Sequence, residues 1–220
     1  MNYLSHFVFN HEVCGRPAEP YFALGCALPD LWLRYSRVHR IRWPALRAAA
    51  PTEPRDAQLR AGLLNHVAVD QRFHALPLFQ EWQRRVRSRV AHDGHPPVLL
   101  DFLAHAALEL ALDQRLLQAD PTLVERFYGL LEMCDPDDVA ARVGRLGRVR
   151  TDGLAAVIRA FFARRFLRHY RTADGLVDVL RIILGFARTP RPPDTLIVAT
   201  LHSAVRYADP AAVWHALRAG

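Results

Sequence analysis

The sequence contains no lysine. All 29 of its basic residues are arginines, against 22 acidic residues, which gives a formal charge of +7 over 220 residues. Such a bias points first to genome composition, yet the planar guanidinium fork also suits phosphate and carboxylate groups, so the charge argues for an anionic partner. A direct role on nucleic acid is not expected, because no basic block interleaved with aromatic residues and no known reading motif is present. Cysteine is scarce as well. Cys14, Cys26 and Cys134 are odd in number and widely spaced, which argues against a disulfide framework and a paired-cysteine zinc site. Any metal must then be held by histidines and carboxylates. No apolar run approaches the roughly 20 residues needed to span a bilayer, and the opening Met1-Asn2-Tyr3-Leu4-Ser5-His6 lacks the basic region and long apolar core of a signal peptide. The expected location is the cytoplasm. Gly-rich phosphate loops, nucleophile elbows and Cys/His pairs do not stand out, so nucleotide-dependent and acyl-enzyme chemistry finds no support. Sustained two-residue alternation is missing too, which leaves no expected strand.

What is present is helical periodicity. With 51% hydrophobic and 23% charged residues, the chain has the balance of a soluble globular protein and is long enough for one well-buried core. Leu59, Leu63, Leu64, Val67 and Ala68 mark one apolar face, and Leu99, Leu100, Leu103, Ala107, Leu110 and Ala111 mark another. Helices are expected near 19–33, 56–74, 76–91, 98–118, 121–132, 136–146, 152–170, 173–187, 193–206 and 210–218. Breaks fall at Gly94 with Pro96-Pro97, at Asp120-Pro121, at Asp135-Pro136, between Pro190 and Pro193, and at Asp209-Pro210. In each Asp-Pro pair the aspartate can cap a helix whose first position is the proline. The expected fold is all α, a single-domain helical bundle over residues 1–220 without linker or repeat. The Arg- and Pro-rich stretch from Tyr35 to Arg55 is expected to be a surface loop over one end of the bundle.

Two of these helices carry polar residues within largely apolar surroundings. His66, Asp70 and His74 lie at i, i+4 and i+8, and His105, Glu109 and Asp113 repeat that spacing. Each triplet is one column along a helix, and two facing columns would offer imidazole nitrogens and carboxylate oxygens to a divalent zinc, manganese or iron ion. Asp30, in Leu28-Pro29-Asp30-Leu31, and His6, in Leu4-Ser5-His6-Phe7, are two further polar intrusions. Six to eight such groups exceed the needs of one structural ion and suit a site with two metals. The expectation is that His66, Asp70, His105 and Glu109 meet at one internal site, with Asp30 contributing. Each feature also has an ordinary reading. A single His and Asp at i and i+4 is usually a solvated or hydrogen-bonded pair, His6 alone can be a satisfied core histidine, and Asp30 alone can cap a turn after Pro29. Leu76, Phe79, Trp82, Phe161, Phe162 and Phe166 read most simply as core, and the runs Arg84-Arg85 with Arg87 and Arg89, and Arg164-Arg165, as solvated faces.

In order, these segments resemble the acyl carrier protein phosphodiesterase family, all-helical hydrolases related to the HD-type metal-dependent phosphohydrolases. Met1-Asn2-Tyr3-Leu4-Ser5-His6 looks like that family's start, Gly25 to Asp30 like its Gly-x-x-x-x-Asp element, and His66-x-x-x-Asp70 like its His-x-x-x-Asp helix. Glu109-x-x-x-Asp113 stands where the family carries an Asp-x-x-x-Asp pair, and Tyr170-Arg171 leading to Gly185-Phe186-Ala187-Arg188 is similar to its Tyr-Arg helix and Gly-x-x-x-Arg ending. The resemblance runs over about residues 1–190. Two positions depart from the pattern: His74 replaces the family's second Asp, and Gln114 replaces the His after its last Asp. The order His66-x-x-x-Asp70 then His105-x-x-x-Glu109 is also similar to zinc-dependent phospholipase C proteins, over the site segments alone.

The first resemblance implies hydrolysis of the phosphodiester joining phosphopantetheine to a serine of acyl carrier protein, with a divalent metal, commonly manganese. His6, Asp30, His66, Asp70, His74, His105 and Glu109 are then the metal-ligand candidates, and Asp70 and Asp113 the catalytic ones. An acidic carrier protein fits the positive charge. Arg34, Arg37 and Arg40, which follow Asp30 closely, are candidates for its docking or are simply solvated charges. Two other readings stay open: a hydrolase of another phosphoester such as a lipid, and a noncatalytic, metal-stabilised helical protein.

Overall fold

Two of the three Asp-Pro pairs cap helix starts as their chemistry requires, and the third, Asp120-Pro121, makes a turn ahead of a helix that begins at Leu123. Asp135 accepts the backbone N–H of Asp137 at 3.0 Å, Asp209 that of Ala212 at 3.2 Å, and Asp120 that of Thr122 at 2.9 Å. The structure, a computed structural model, describes residues 1–90, 95–187 and 192–219. Every regular element among them is helical. Gly94, Arg188, Pro190 and Arg191, which figure in the expected breaks and in the Gly-x-x-x-Arg ending, lie outside the described residues. In chain order the helices are α1 (Tyr3–Val8), a π-helical turn (Phe9–Val13), α2 (Pro20–Tyr35), α3 (Trp43–Ala48), α4 (Pro54–Ala75) and α5 (Pro77–Val90). Then come α6 (Pro97–Ala119), α7 (Leu123–Leu131), α8 (Pro136–Gly147), α9 (Leu154–Arg164), a 3-10 segment (Phe166–Arg171), α10 (Ala173–Ala187), α11 (Asp194–Tyr207) and α12 (Pro210–Ala219). Among the described residues no helix is long and apolar enough to cross a membrane.

The structure departs from the sequence expectation in five places. The segment near 152–170 is not one helix: α9 stops at Arg164, and Arg165 turns left-handed with φ 43°. The guanidinium of Arg165 bonds Glu125 and Glu132 at 2.6 Å each and lies 5.4 Å from the Tyr128 ring centre, so side-chain contacts outweigh the helical pattern there. The stretch from Tyr35 to Arg55 contains α3, anchored by the fully buried Leu46. A helix, α1, forms at the start of the chain, where none was expected. Asp30 does not begin a new turn, because α2 runs through Pro29 to Tyr35. The apolar face expected on α4 is also narrower. Leu59 and Leu63 are buried, Leu64 and Val67 half-buried, and Ala68 exposed.

The chain forms two units, and the first comprises Met1–Ser5, Gln71–Leu123 and Leu167–Gly220. Its centre is α6, which is buried nearly all round from Leu99 to Leu117 and packs against α5, α10, α11 and α12. A helix surrounded by others must be apolar on every side. Asp113 and Gln114 depart from this, and Asp113 is fully buried and accepts the Leu4 N–H at 3.0 Å, the Ser5 N–H at 2.8 Å and the Ser5 hydroxyl at 2.6 Å. For Asp113 these donors are its partners. Burial pushes its carboxyl up to about 6 against the pull of those donors.

The second unit comprises His6–Asp70 and Val124–Phe166. Here α2 packs on α9, α9 on α8, and α8 on α3. At the start of α4, the fully buried Asp56 accepts Arg142 Nη1 at 2.6 Å, Arg145 Nη2 at 2.9 Å and the Thr52 hydroxyl at 2.9 Å. Arg142 also reaches Glu53 and Asp138 at 2.8 Å each. Burial by itself would raise the Asp56 carboxyl, but the hydrogen bonds from Arg142 and Thr52 prevail and hold it below its ordinary value. Replacing Arg142 with Met is expected to cost about 3 kcal/mol at neutral pH, the low end for an orphaned buried charge because Arg145 remains. A carboxylate with a depressed folded pKa contributes stability above its unfolded value near 4 and loses it as pH falls through the folded one. The gap between wild type and variant should therefore close in acid, as urea unfolding at pH 7 and pH 3 would show; a cost below 1 kcal/mol at pH 7 would be incompatible with this network.

Candidate metal centre

The second unit builds its ligand group from three helices: α1 carries His6, α2 carries Asp30, and α4 carries His66 and Asp70. The close approach of α2 to α4 depends on Gly25 and Gly62. A Cβ at Gly62 would lie 2.2 Å from the Phe22 carbonyl oxygen, and one at Gly25 would lie 2.6 Å from that of Leu59. Pro29 lies within α2. It has no N–H to offer the Gly25 carbonyl, although α2 continues through it to Tyr35. From the same helix, Cys26 O lies 2.8 Å from His66 Nδ1. A carbonyl can only accept, so Nδ1 carries the proton and Nε2 presents its lone pair.

His66 Nε2 faces Asp70 Oδ2 at 3.7 Å and Asp30 Oδ1 at 3.8 Å. His6 Nε2 lies 3.1 Å from Asp70 Oδ1, and the two imidazoles are stacked with centroids 4.3 Å apart. His6, His66 and Asp70 each offer a ligand atom within 4.8 Å of the others. Burial, followed by the neighbouring His6, drives His66 down to about 3, so its ring is neutral near pH 7. A neutral ring nitrogen facing two carboxylates is a cluster of lone pairs that a divalent cation neutralises, and two imidazoles with one or two carboxylates match the preferences of zinc, manganese or iron. The residues present fit such an ion. Asn10 and Asn65 support the group from behind: Asn10 Nδ2 donates to His6 O at 2.8 Å, and Asn65 Nδ2 donates to Asn10 Oδ1 at 2.8 Å.

The first unit builds a second group from His74 at the end of α4 and His105 and Glu109 on α6. Glu109 Oε1 lies 3.0 Å from His74 Nε2, 3.3 Å from His105 Nε2 and 3.0 Å from the Met1 ammonium. Burial would raise the Glu109 carboxyl, but the ammonium and the two imidazoles hold it well below the ordinary range. Phe79 closes one side, its ring at 5.7 Å from His74 and 5.3 Å from His105. This donor set also fits a divalent ion, with two nitrogens and a carboxylate.

Among the sequence candidates, His66 and Asp70 come together with His6, and Asp30 joins at His66. His105 and Glu109 come together with His74. Asp113 belongs to neither group and is committed to the backbone of Leu4 and Ser5. The supporting roles of the Cys26 carbonyl, Asn10, Asn65 and Phe79 were not read from the sequence. No family model, no curated protein and no solved structure matches the chain.

Proposed function

We propose that this chain is a divalent-metal-dependent phosphodiester hydrolase acting on the phosphopantetheine–serine linkage of acyl carrier protein, with the HD-type helical arrangement of that resemblance. The observation that carries the reading is the His6, His66 and Asp70 group, with Asp30 facing the same ring nitrogen. A divalent ion bound there would supply an activated water and offset charge on the phosphoryl oxygens. The protein's own part is orientation and exclusion of water. Cys26 O fixes the His66 tautomer, Asp70 bridges the two imidazoles through different oxygens, and burial of both rings keeps the donor set dry. In the reaction the water oxygen joins phosphorus, the phosphorus–oxygen bond to serine breaks, and the serine oxygen leaves as the hydroxyl. A net charge of +7 favours encounter with an acidic carrier.

The test has two arms. Chelated protein should not cleave bis(p-nitrophenyl) phosphate, and addition of manganese, zinc or iron should restore cleavage. Holo acyl carrier protein should then release phosphopantetheine, read as the mass of the apo form. Cleavage of the small diester without release from the carrier would favour another phosphoester substrate. Tight metal binding with cleavage of neither substrate would leave only the noncatalytic reading.

A further inference from the structure

Between Leu31 and Thr52 the second unit carries Arg34, Arg37, Arg40, Arg42 and Arg47 and no acidic residue. Elsewhere in this unit arginines sit on carboxylates: Arg126 on Glu12, Arg142 and Arg145 on Asp56, and Arg165 on Glu125. Arg37, Arg40, Arg42 and Arg47 are exposed, and among the described residues none of these four is paired with a carboxylate. The Arg42 backbone N–H donates to Gly147 O at 3.1 Å, which brings the exposed Arg148 beside the same stretch. Charge of one sign gathered in this way repels itself and is relieved by a surface of the opposite sign. The planar guanidinium fork suits the paired oxygens of a phosphate.

Midway along the loop from α2 to α3, between Arg37 and Arg40, stands Val38, which is 84% exposed. A single exposed aliphatic side chain is ordinary; Val38 differs because the loop that carries it is pinned. Ser36 Oγ accepts the N–H groups of Val38 and His39 at 3.2 and 2.9 Å, and Trp32 Nε1 donates to His39 O at 2.7 Å. The Tyr35 hydroxyl donates to Arg150 O at 3.0 Å, and Ile41 is buried. Turning Val38 inward would break these bonds, so the loop holds an apolar side chain out in water between two arginines. A protein partner would need a matching pocket for that side chain. The headgroup layer of a bilayer is fluid and closes around it, while lipid phosphates take the guanidinium groups on either side. We infer that this loop, with Arg42 and Arg148 beside it, is a docking surface for a bilayer that contains anionic phospholipid. The inference goes beyond the hydrolase reading and does not rest on it, since no metal-ligand candidate takes part.

Flotation of chelator-treated protein with lipid vesicles tests the surface without any metal. Vesicles of phosphatidylcholine with about one-third phosphatidylglycerol should be bound at least about tenfold more tightly than vesicles of phosphatidylcholine alone, and the preference should fade as salt rises to about 0.5 M. Arg37→Gln combined with Arg40→Gln should weaken binding to the anionic vesicles about twentyfold, about fivefold for each charge. Val38→Ser should weaken it about threefold. Both proteins should keep wild-type circular dichroism, because the three side chains are exposed. Arg84→Gln combined with Arg85→Gln removes the same charge from α5 in the first unit and should change binding by less than about twofold. Equal affinity for neutral and anionic vesicles, wild-type affinity in the Arg37 and Arg40 double variant or in Val38→Ser, or an equal loss in the α5 variant would overturn the inference. Absence of vesicle binding would overturn it too, and weaker binding of holo acyl carrier protein by the Arg37 and Arg40 double variant would then make the surface a protein dock instead.

Discussion

Asp70→Asn is expected to lose about a thousandfold in cleavage of a small phosphodiester, equivalent to about 4 kcal/mol of barrier, while its helix content stays that of wild type. The size of the effect follows from how the carboxylate is shared. Oδ1 lies 3.1 Å from His6 Nε2, and Oδ2 lies 3.7 Å from His66 Nε2, so one side chain serves both imidazoles. An amide is nearly isosteric but has no charge, and it places an NH₂ donor where one of the two oxygens stood. One half of the shared geometry is therefore lost, along with the negative charge that makes a divalent ion favourable there. Metal titration by calorimetry and turnover at matched metal occupancy should be measured on the same preparation. Wild-type turnover in the loaded variant would exclude Asp70 from the chemistry, and unchanged metal affinity would exclude it from the ligand set.

Gly62→Ala should destabilise the protein by about 4 kcal/mol or more, beyond the usual range for overpacking. The added Cβ would stand 2.2 Å from Phe22 O, 3.0 Å from Cys26 N and 3.0 Å from Gly25 Cα. All three are backbone atoms, so no rotamer change relieves the overlap and α2 must retreat from α4. That retreat moves Asp30 and the Cys26 carbonyl away from His66, so metal affinity should fall together with stability. Gly129 provides the contrast. It lies within α7 with nothing inside 4 Å of its ideal Cβ, and Gly129→Ala should stabilise by up to about 1 kcal/mol through helix propensity alone. Urea midpoints of the two variants should therefore move in opposite directions. A Gly62→Ala protein as stable as wild type would show that the helices do not meet there.

Much of the secondary structure was legible in the sequence, because its signals are local. Aspartate before proline favours a helix start, and Asp135 and Asp209 cap one here, while Asp120 holds the turn before Leu123. Apolar residues at helical spacing marked α6 well, since nearly its whole circumference is buried. The two triplets were visible for the same reason: a spacing of four residues places side chains in one column on any α-helix. The left-handed Arg165 was not legible, because its cause is a set of contacts with Glu125, Glu132 and Tyr128, at least 33 residues earlier in the chain.

The candidate site divides along the same line. Sequence alone determined which residue types stand at ligand spacing, and that no cysteine pair competes with them. Only the tertiary structure decided their company. Asp70 and His74 are one turn apart on α4, yet Asp70 joins His6 and His66 while His74 joins His105 and Glu109. Asp113 continues the column of His105 and Glu109, yet its carboxylate is taken by the Leu4 and Ser5 amides. Helical periodicity fixes the direction of a side chain relative to its own axis and nothing about what lies opposite. That is set by where neighbouring backbones can approach, which here depends on two glycines, Gly25 and Gly62.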